Sequence, residues 1–345
     1  MNRRLPVYIL IDCSESMAGG AFEAVKIGLA TMLKELRSDP MALETAAISV
    51  ITFSNQARVV VPLTDIIKVQ IPTLRLGSGT AMGAALELWL QCMEKEVVKT
   101  TVEQKGDYKP LCFILTDGEP TDKWEVVADK IRTTITCKKA NVIAVACGPD
   151  ADTKTLGRIT ETVIAFKDEQ TSTFSKFFKW VTASISITSQ KIEGAGDKPL
   201  GLPGLSPDCM EVLSKEEQIS PLQDRYAFLH AKCTKNQKFY LMRFRRTDGP
   251  QERRPVYSGT ATHPMDDFEM DTDGKAKELK VNSDQLEGDL PCPYCGGQLW
   301  AFCGACGHVH CAPMTQQDNI KLTCPWCGKT GIYSFGSFDV GRGRG

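Results

Sequence analysis

Three segments that carry hard oxygen donors, two of them at the ends of apolar runs, constrain this chain most. The first is Val7-Tyr8-Ile9-Leu10-Ile11, which runs into Asp12-Cys13-Ser14-Glu15-Ser16. The second is Gly77-Ser78-Gly79-Thr80, at the head of a helical pattern. The third is Phe113-Ile114-Leu115-Thr116-Asp117-Gly118. Uninterrupted apolar runs of this length read as strands buried on both faces of a parallel sheet. In such sheets the loops after the carboxyl ends of the strands converge on one crevice. Asp12, Ser14, Ser16, Thr80 and Asp117 are therefore expected to meet there. Two carboxylates with three hydroxyls suit Mg²⁺ or Mn²⁺ rather than zinc.

The surrounding pattern supports the same fold class. Between residues 5 and 188, strand-like runs (46–53, 58–63, 111–115, 142–146, 163–166) alternate with helical apolar spacing (21–36, 80–93, 124–136, 154–159, 173–184). That alternation predicts an α/β, doubly wound, mostly parallel sheet with helices on both faces. Seven Gly and Pro residues between Gly194 and Pro207 mark a domain boundary, so 189–222 is read as a linker. Residues 223–336 are read as a small β-rich, zinc-ribbon-like domain. Its 223–290 part holds strands such as Phe239–Arg245, and its 291–336 part is rich in cysteine. The acidic run from Asp266 to Asp273 is expected to be a solvated loop, and the Gly-Arg tail at 341–345 disordered.

Of the 14 cysteines, seven lie between Cys292 and Cys327. They form Cys292/Cys295, Cys303/Cys306 and Cys324/Cys327, each two residues apart and each followed by Gly, with Cys311 behind His308 and His310. Paired thiolates at this spacing are zinc knuckles, with Gly permitting the tight turn. Eight ligands would fill two closed tetrahedral sites. The eighth is expected to be His308 or His310. The pairing is open between a sequential arrangement, in which 292/295 joins 303/306, and a crossed one. A reducing compartment suits free thiols of this kind, and the short apolar run after the basic start leads into Asp12 rather than a signal-peptide pattern. A cytoplasmic location is expected, with no membrane span.

The first module resembles a von Willebrand factor type A domain with a metal-ion-dependent adhesion site, over roughly residues 5–188. The resemblance implies that Asp12, Ser14 and Ser16 hold the metal or its waters. It implies that Thr80 alternates between direct and water-mediated contact, and that Asp117 acts from behind or through water. It also implies an open coordination position for a partner's Asp or Glu. Glu15 departs from the small residues common there, and an extra carboxylate could weaken an acidic partner. With the cysteine cluster, the chain resembles the TerY family of tellurite-resistance-associated bacterial proteins. That resemblance implies an adaptor linked to a Ser/Thr kinase and a PP2C-type phosphatase.

The residues argue against catalysis. Four histidines are present, two of them in the cysteine cluster. A phosphatase of the haloacid dehalogenase type would need a second acid two residues after Asp12, where Ser14 stands. The expectation is a non-enzymatic binding protein; a Mg²⁺-dependent phosphatase-like hydrolase is one alternative. The other is nucleic-acid binding through the zinc module and the arginines 243, 245, 246, 253 and 254. A net charge of −1 gives that second alternative no global support.

Overall fold

The computed structural model describes residues 3–135, 139–148, 151–191, 203–214, 226–247, 255–265, 279–313, 319–334 and 337–342. The chain divides into two compact units, Met1–Leu74 with Thr80–Ser220, and Arg75–Gly79 with Pro221–Gly345.

The first unit is built on β1 (Leu5–Asp12), whose eight residues are all buried. It pairs in parallel with β2 (Ala46–Phe53) on one side and β4 (Leu111–Thr116) on the other. The full order is β3-β2-β1-β4-β5-β6-β7. Here β3 (Ala57–Asp65) and β7 (Met210–Val212) are antiparallel edges, and β5 (Asn141–Ala146) and β6 (Thr162–Phe166) continue the parallel run. The residues of β7 come from the stretch read as linker. The chain leaves β1 toward β2 and later returns to β4 on the opposite side, so the switch point lies between β1 and β4.

Strand alternation sends successive side chains to opposite layers. Tyr8 and Leu10 of β1, with Cys112 and Ile114 of β4, pack on α3 (Met82–Glu96), where the Tyr8 and Trp89 rings meet edge-on at 6.4 Å. Phe113 points the other way, against Phe177 and Trp180 of α6 (Thr171–Lys191). On that layer α1 (Gly20–Ser38) lies against α6, and Gly28 faces the ring of Phe178. The expected doubly wound α/β sandwich is thus the fold of this unit.

The second unit carries a six-stranded sheet in the order β12-β10-β9-β8-β14-β13. Its strands are β8 (Tyr226–Lys232), β9 (Phe239–Arg246), β10 (Tyr257–Pro264), β12 (Leu286–Glu287), β13 (Leu299–Phe302) and β14 (Val309–Ala312). β13 and β14 come from the cysteine-rich stretch, and β14 pairs in parallel with β8. The β-rich and cysteine-rich parts therefore share one sheet and one core, built around Tyr240, Met242, Phe244 and Tyr257. Two further hairpin-like pairs are β11 (Leu279–Asn282) with β17 (Asp339–Arg342), and β15 (Asn319–Thr323) with β16 (Thr330–Ser334). Gly341 and Arg342, expected in a disordered tail, pair instead with Lys280 and Leu279. The acidic run Asp266–Asp273 lies outside the described residues, as do Arg253 and Arg254.

Gly28 tests the helix layer. A Cβ there would lie 2.1 Å from Phe178 Cδ2, in the body of the ring rather than at a flexible tip. Alanine gains about 1 kcal/mol of helix propensity, but overpacking costs about 1–3 kcal/mol. Gly28→Ala should therefore lower the thermal midpoint of the first unit, read by differential scanning calorimetry.

Candidate metal centres

The oxygen-rich loop begins where β1 ends. Asp12 is fully buried, because its strand is central and the next residue is held by Cys13 N–H donating to Phe53 O at 2.8 Å. Its Oδ1 accepts from Ser14 N at 2.8 Å and its Oδ2 from Thr116 Oγ1 at 2.5 Å. The Ser14 and Ser16 hydroxyls lie 2.9 Å apart, and Ser16 Oγ donates to Asp117 Oδ1 at 2.6 Å. Asp12, Ser14, Ser16 and Asp117 are thus joined by an unbroken hydrogen-bond chain that crosses from β1 to β4, at the switch point.

Thr80 is placed by different bonds. Its N–H donates to Thr121 Oγ1 at 3.0 Å, and its carbonyl accepts from Thr121 N at 2.9 Å. Thr121 follows Asp117 by four residues, so this pairing ties the Thr80 loop to the Asp117 loop. Asp122 then caps α3 by accepting from Gly83 N and Ala84 N. The Thr80 hydroxyl is fully buried and has no hydrogen-bond partner among the described residues. A buried hydroxyl without a partner costs about 1–3 kcal/mol, and a hard cation or its water would supply one.

The electrostatics point the same way. Burial pushes the Asp12 carboxyl up to about 6, against the pull of its bonds from Ser14 and Thr116. Burial and the neighbouring Asp12 charge hold Asp117 well above the usual carboxylate range. A cation between two such acids would offset both effects. Glu15, read as an extra carboxylate beside the site, is fully buried and is not presented to solvent.

The cysteines form two groups of four, Cys233, Cys292, Cys295 and Cys311 in one, Cys303, Cys306, Cys324 and Cys327 in the other. Within each group all four Sγ atoms lie within 4.8 Å of one another. Three measured separations are 3.7 Å (295–311), 3.9 Å (303–327) and 3.7 Å (306–324). Four thiolates at about 2.3 Å from a tetrahedral zinc would be about 3.8 Å apart, so the spacing fits that ion without rearrangement.

This arrangement selects between the two pairings left open and corrects one expectation. The pairing is the crossed one, in which 303/306 joins 324/327 and 292/295 joins Cys311. Neither His308 nor His310 belongs to a group. His310 precedes Cys311 in β14, and strand alternation turns its ring to the opposite face. That ring is fully buried, with Nε2 3.1 Å from Tyr333 Oη. His308 ends a knuckle turn, where its carbonyl accepts from Cys303 N, and its ring stacks on Trp326 at 4.3 Å.

The missed ligand position is Cys233, in the turn between β8 and β9. Four turns share one hydrogen-bond pattern: N–H of the first cysteine donates to the carbonyl five residues on, and its carbonyl accepts from the N–H four residues on. They begin at Cys233, Cys292, Cys303 and Cys324. The fifth residue has positive φ in each, Gly296 (70°), Gly307 (76°), Gly328 (72°) and Gln237 (65°). In the first turn Asn236 stands where the others have their second cysteine, and Gln237 stands in place of glycine. Seven cysteines in the 292–327 stretch left one ligand wanting; Cys233 between two strand-like runs was the available signal.

A von Willebrand factor type A domain model matches residues 7–180, and a model described as TerY-C metal binding domain matches residues 223–345. No curated protein matches the chain. Among similar solved structures are proximal thread matrix protein 1 from the mussel byssus in crystal form 2, and the same protein with a zinc-occupied MIDAS motif. The first is 18% identical, with a TM-score of 0.39, over 54% of this chain and 48% of that one. The second is 17% identical, with a TM-score of 0.39, over the same shares, 54% and 48%. A von Willebrand factor type A protein from Catenulispora acidiphila is 16% identical, with a TM-score of 0.39, over 76% of this chain and 66% of that one. The chain spans about half the length of the mussel structures it matches. No helix among the described residues is long and apolar enough to cross a membrane. The chain belongs to the von Willebrand factor type A family, and behind that module it carries a TerY-C metal-binding domain.

Proposed function

We propose that this protein is a non-enzymatic adaptor whose first unit captures a protein partner through a divalent cation. Asp12, Ser14, Ser16, Thr80 and Asp117 would hold Mg²⁺ or Mn²⁺, directly or through water. An Asp or Glu of the partner would complete the coordination. The observation that carries this reading is the Thr80 hydroxyl, buried and without a partner in a loop tied to the hydrogen-bonded chain of acids and serines. When bound, the cation supplies a Lewis-acid position for a carboxylate; three neutral hydroxyls leave it more electrophilic than an all-carboxylate cage would.

The partner we infer is a phosphorylation component, a Ser/Thr kinase or a PP2C-type phosphatase, in a cytoplasmic stress response of the tellurite-resistance kind. This rests on the family. A hydrolase reading is weakened by the acid position two residues after Asp12, where the Ser14 hydroxyl is engaged with Ser16. Nucleic-acid binding is weakened by Arg243, whose Nε donates to Thr260 Oγ1 and whose guanidinium lies over the Tyr226 ring. The two four-cysteine groups would each hold a structural zinc.

Capture from native lysate in Mg²⁺, with wild-type, Asp12→Ala and Asp12→Asn baits, tests the adhesion site without a chelator that would also strip thiolate-bound metal. A kinase or phosphatase should be retained by wild type and depleted at least about tenfold by both variants, the loss expected for one metal-site contact. Asp12→Asn keeps an acceptor for Ser14 N, so the loop fold is preserved. Undiminished capture by the folded Asn variant would sink the adaptor reading.

Metal content tests the second unit. Elemental analysis of the purified chain should give two zinc ions. Cys233→Ser should reduce this to one and lower the unfolding midpoint of the second unit, whereas His308→Ala should leave the count at two.

A further inference from the structure

His308 and His310 are left without a metal role, yet both rings are committed. The hairpin β15–β16 pairs with no other strand among the described residues, and a lone two-stranded hairpin is marginal in water. Its strand β16 is largely exposed, with Ile332 at 76%. Three features hold it to the sheet. Its turn supplies Cys324 and Cys327 to the more exposed cysteine group. Trp326 in that turn donates from Nε1 to Val309 O at 2.8 Å and stacks on His308. Tyr333 in β16 meets the buried His310 ring edge-on, with centroids 5.2 Å apart.

The Tyr333 hydroxyl links the hairpin to β14, the strand that carries Cys311 of the buried group. It lies 3.1 Å from His310 Nε2, while His310 Nδ1 lies 3.1 Å from the carbonyl oxygen of Cys311. A carbonyl only accepts, so Nδ1 carries the proton and Nε2 accepts from the tyrosine. Cys311 belongs to the buried group, where its Sγ also receives Thr234 N–H at 3.2 Å. A chain of contacts therefore runs from the hairpin that supplies Cys324 and Cys327 to the buried group, Tyr333–His310–Cys311.

We propose that His310 and Tyr333 are positioning residues that couple the two metal sites, so that filling the buried site raises the affinity of the exposed one. The inference rests on the reading that both cysteine groups hold metal. A metal at the buried site fixes Cys311 and with it β14. The fixed strand holds the His310 ring, the ring orients Tyr333, and Tyr333 holds the hairpin, with Cys324 and Cys327, in place for the second ion. Filling is then ordered, buried site first, and the hairpin bearing Ile332 is docked only in the fully loaded protein.

The full chain, stripped of metal under reducing conditions, is titrated with Co²⁺, and thiolate-to-cobalt absorption reads each binding step. Wild type, Tyr333→Phe, Cys233→Ser and the double variant form a cycle read at the exposed site. Tyr333→Phe keeps the ring and removes only the hydroxyl. It should weaken the second step about tenfold, as for other groups that orient metal ligands, with the first step unchanged. Cys233→Ser should weaken the exposed site comparably, and the double variant no further. Additive losses in the double variant, or an unchanged second step in Tyr333→Phe, would overturn the coupling. If Cys233→Ser does not fold, the separation between the two steps in wild type and Tyr333→Phe decides alone: it should widen, and an unchanged separation overturns the proposal. Absence of thiolate–cobalt absorption in wild type would overturn the metal reading and this inference with it.

Discussion

The parallel pairing of β1 with β4 is the constraint on which the first unit depends. It brings two aspartates, Asp12 and Asp117, to the carboxyl ends of adjacent central strands, where Asp12 is fully buried and Asp117 half-buried. Burying two like charges together is costly. The protein offsets part of that cost locally, through Ser14 N, Thr116 Oγ1 and Ser16 Oγ. The remainder is a cost that a cation between the two carboxylates would offset. Helix packing on either face, with Trp89 on one side and Phe113, Phe177 and Trp180 on the other, serves to hold these two strand ends rigidly in register.

The second unit solves a different problem. Its later strands, β11 to β17, are two to five residues long, and several of its hairpins have little apolar surface of their own. Cohesion comes from a single sheet that gathers strands from both ends of the domain, and from four similar turns that bring thiols together. Aromatic side chains then tie the outer hairpin inward, Trp326 against Phe239 and His308, Tyr333 against His310. Side chains that sequence pattern alone offers as ligands are here part of the packing.

Much of the first unit was legible because its signals are local. An uninterrupted run such as Val7–Ile11 can be satisfied by few arrangements other than a doubly buried strand, and a polar residue at its end must face the crevice. The edge strand β7 was not legible, because Met210–Val212 is three residues long and sits beyond a run of Gly and Pro. In the second unit the three Cys-x-x-Cys-Gly turns were plain. The pairing was not, because it depends on which strands neighbour one another across the sheet. His310 and Cys311 illustrate the limit. Adjacent in sequence, they look like alternative ligands, but a strand sends them to opposite faces, and the strand assignment of so short a segment rests on its pairing with β8 and β13.

The turn at Cys233–Gln237 has a consequence for how the chain is tethered. A metal shared by Cys233 and Cys311 would cross-link two points roughly 80 residues apart in the chain. In the chain-entropy treatment of cross-links, closing a loop of that length removes about 4–5 kcal/mol of freedom from the unfolded ensemble. The stabilisation would come from what the unfolded chain is denied rather than from what the folded one touches. A domain anchored in this way can carry long polar segments inside the loop, and it needs no large core to hold them.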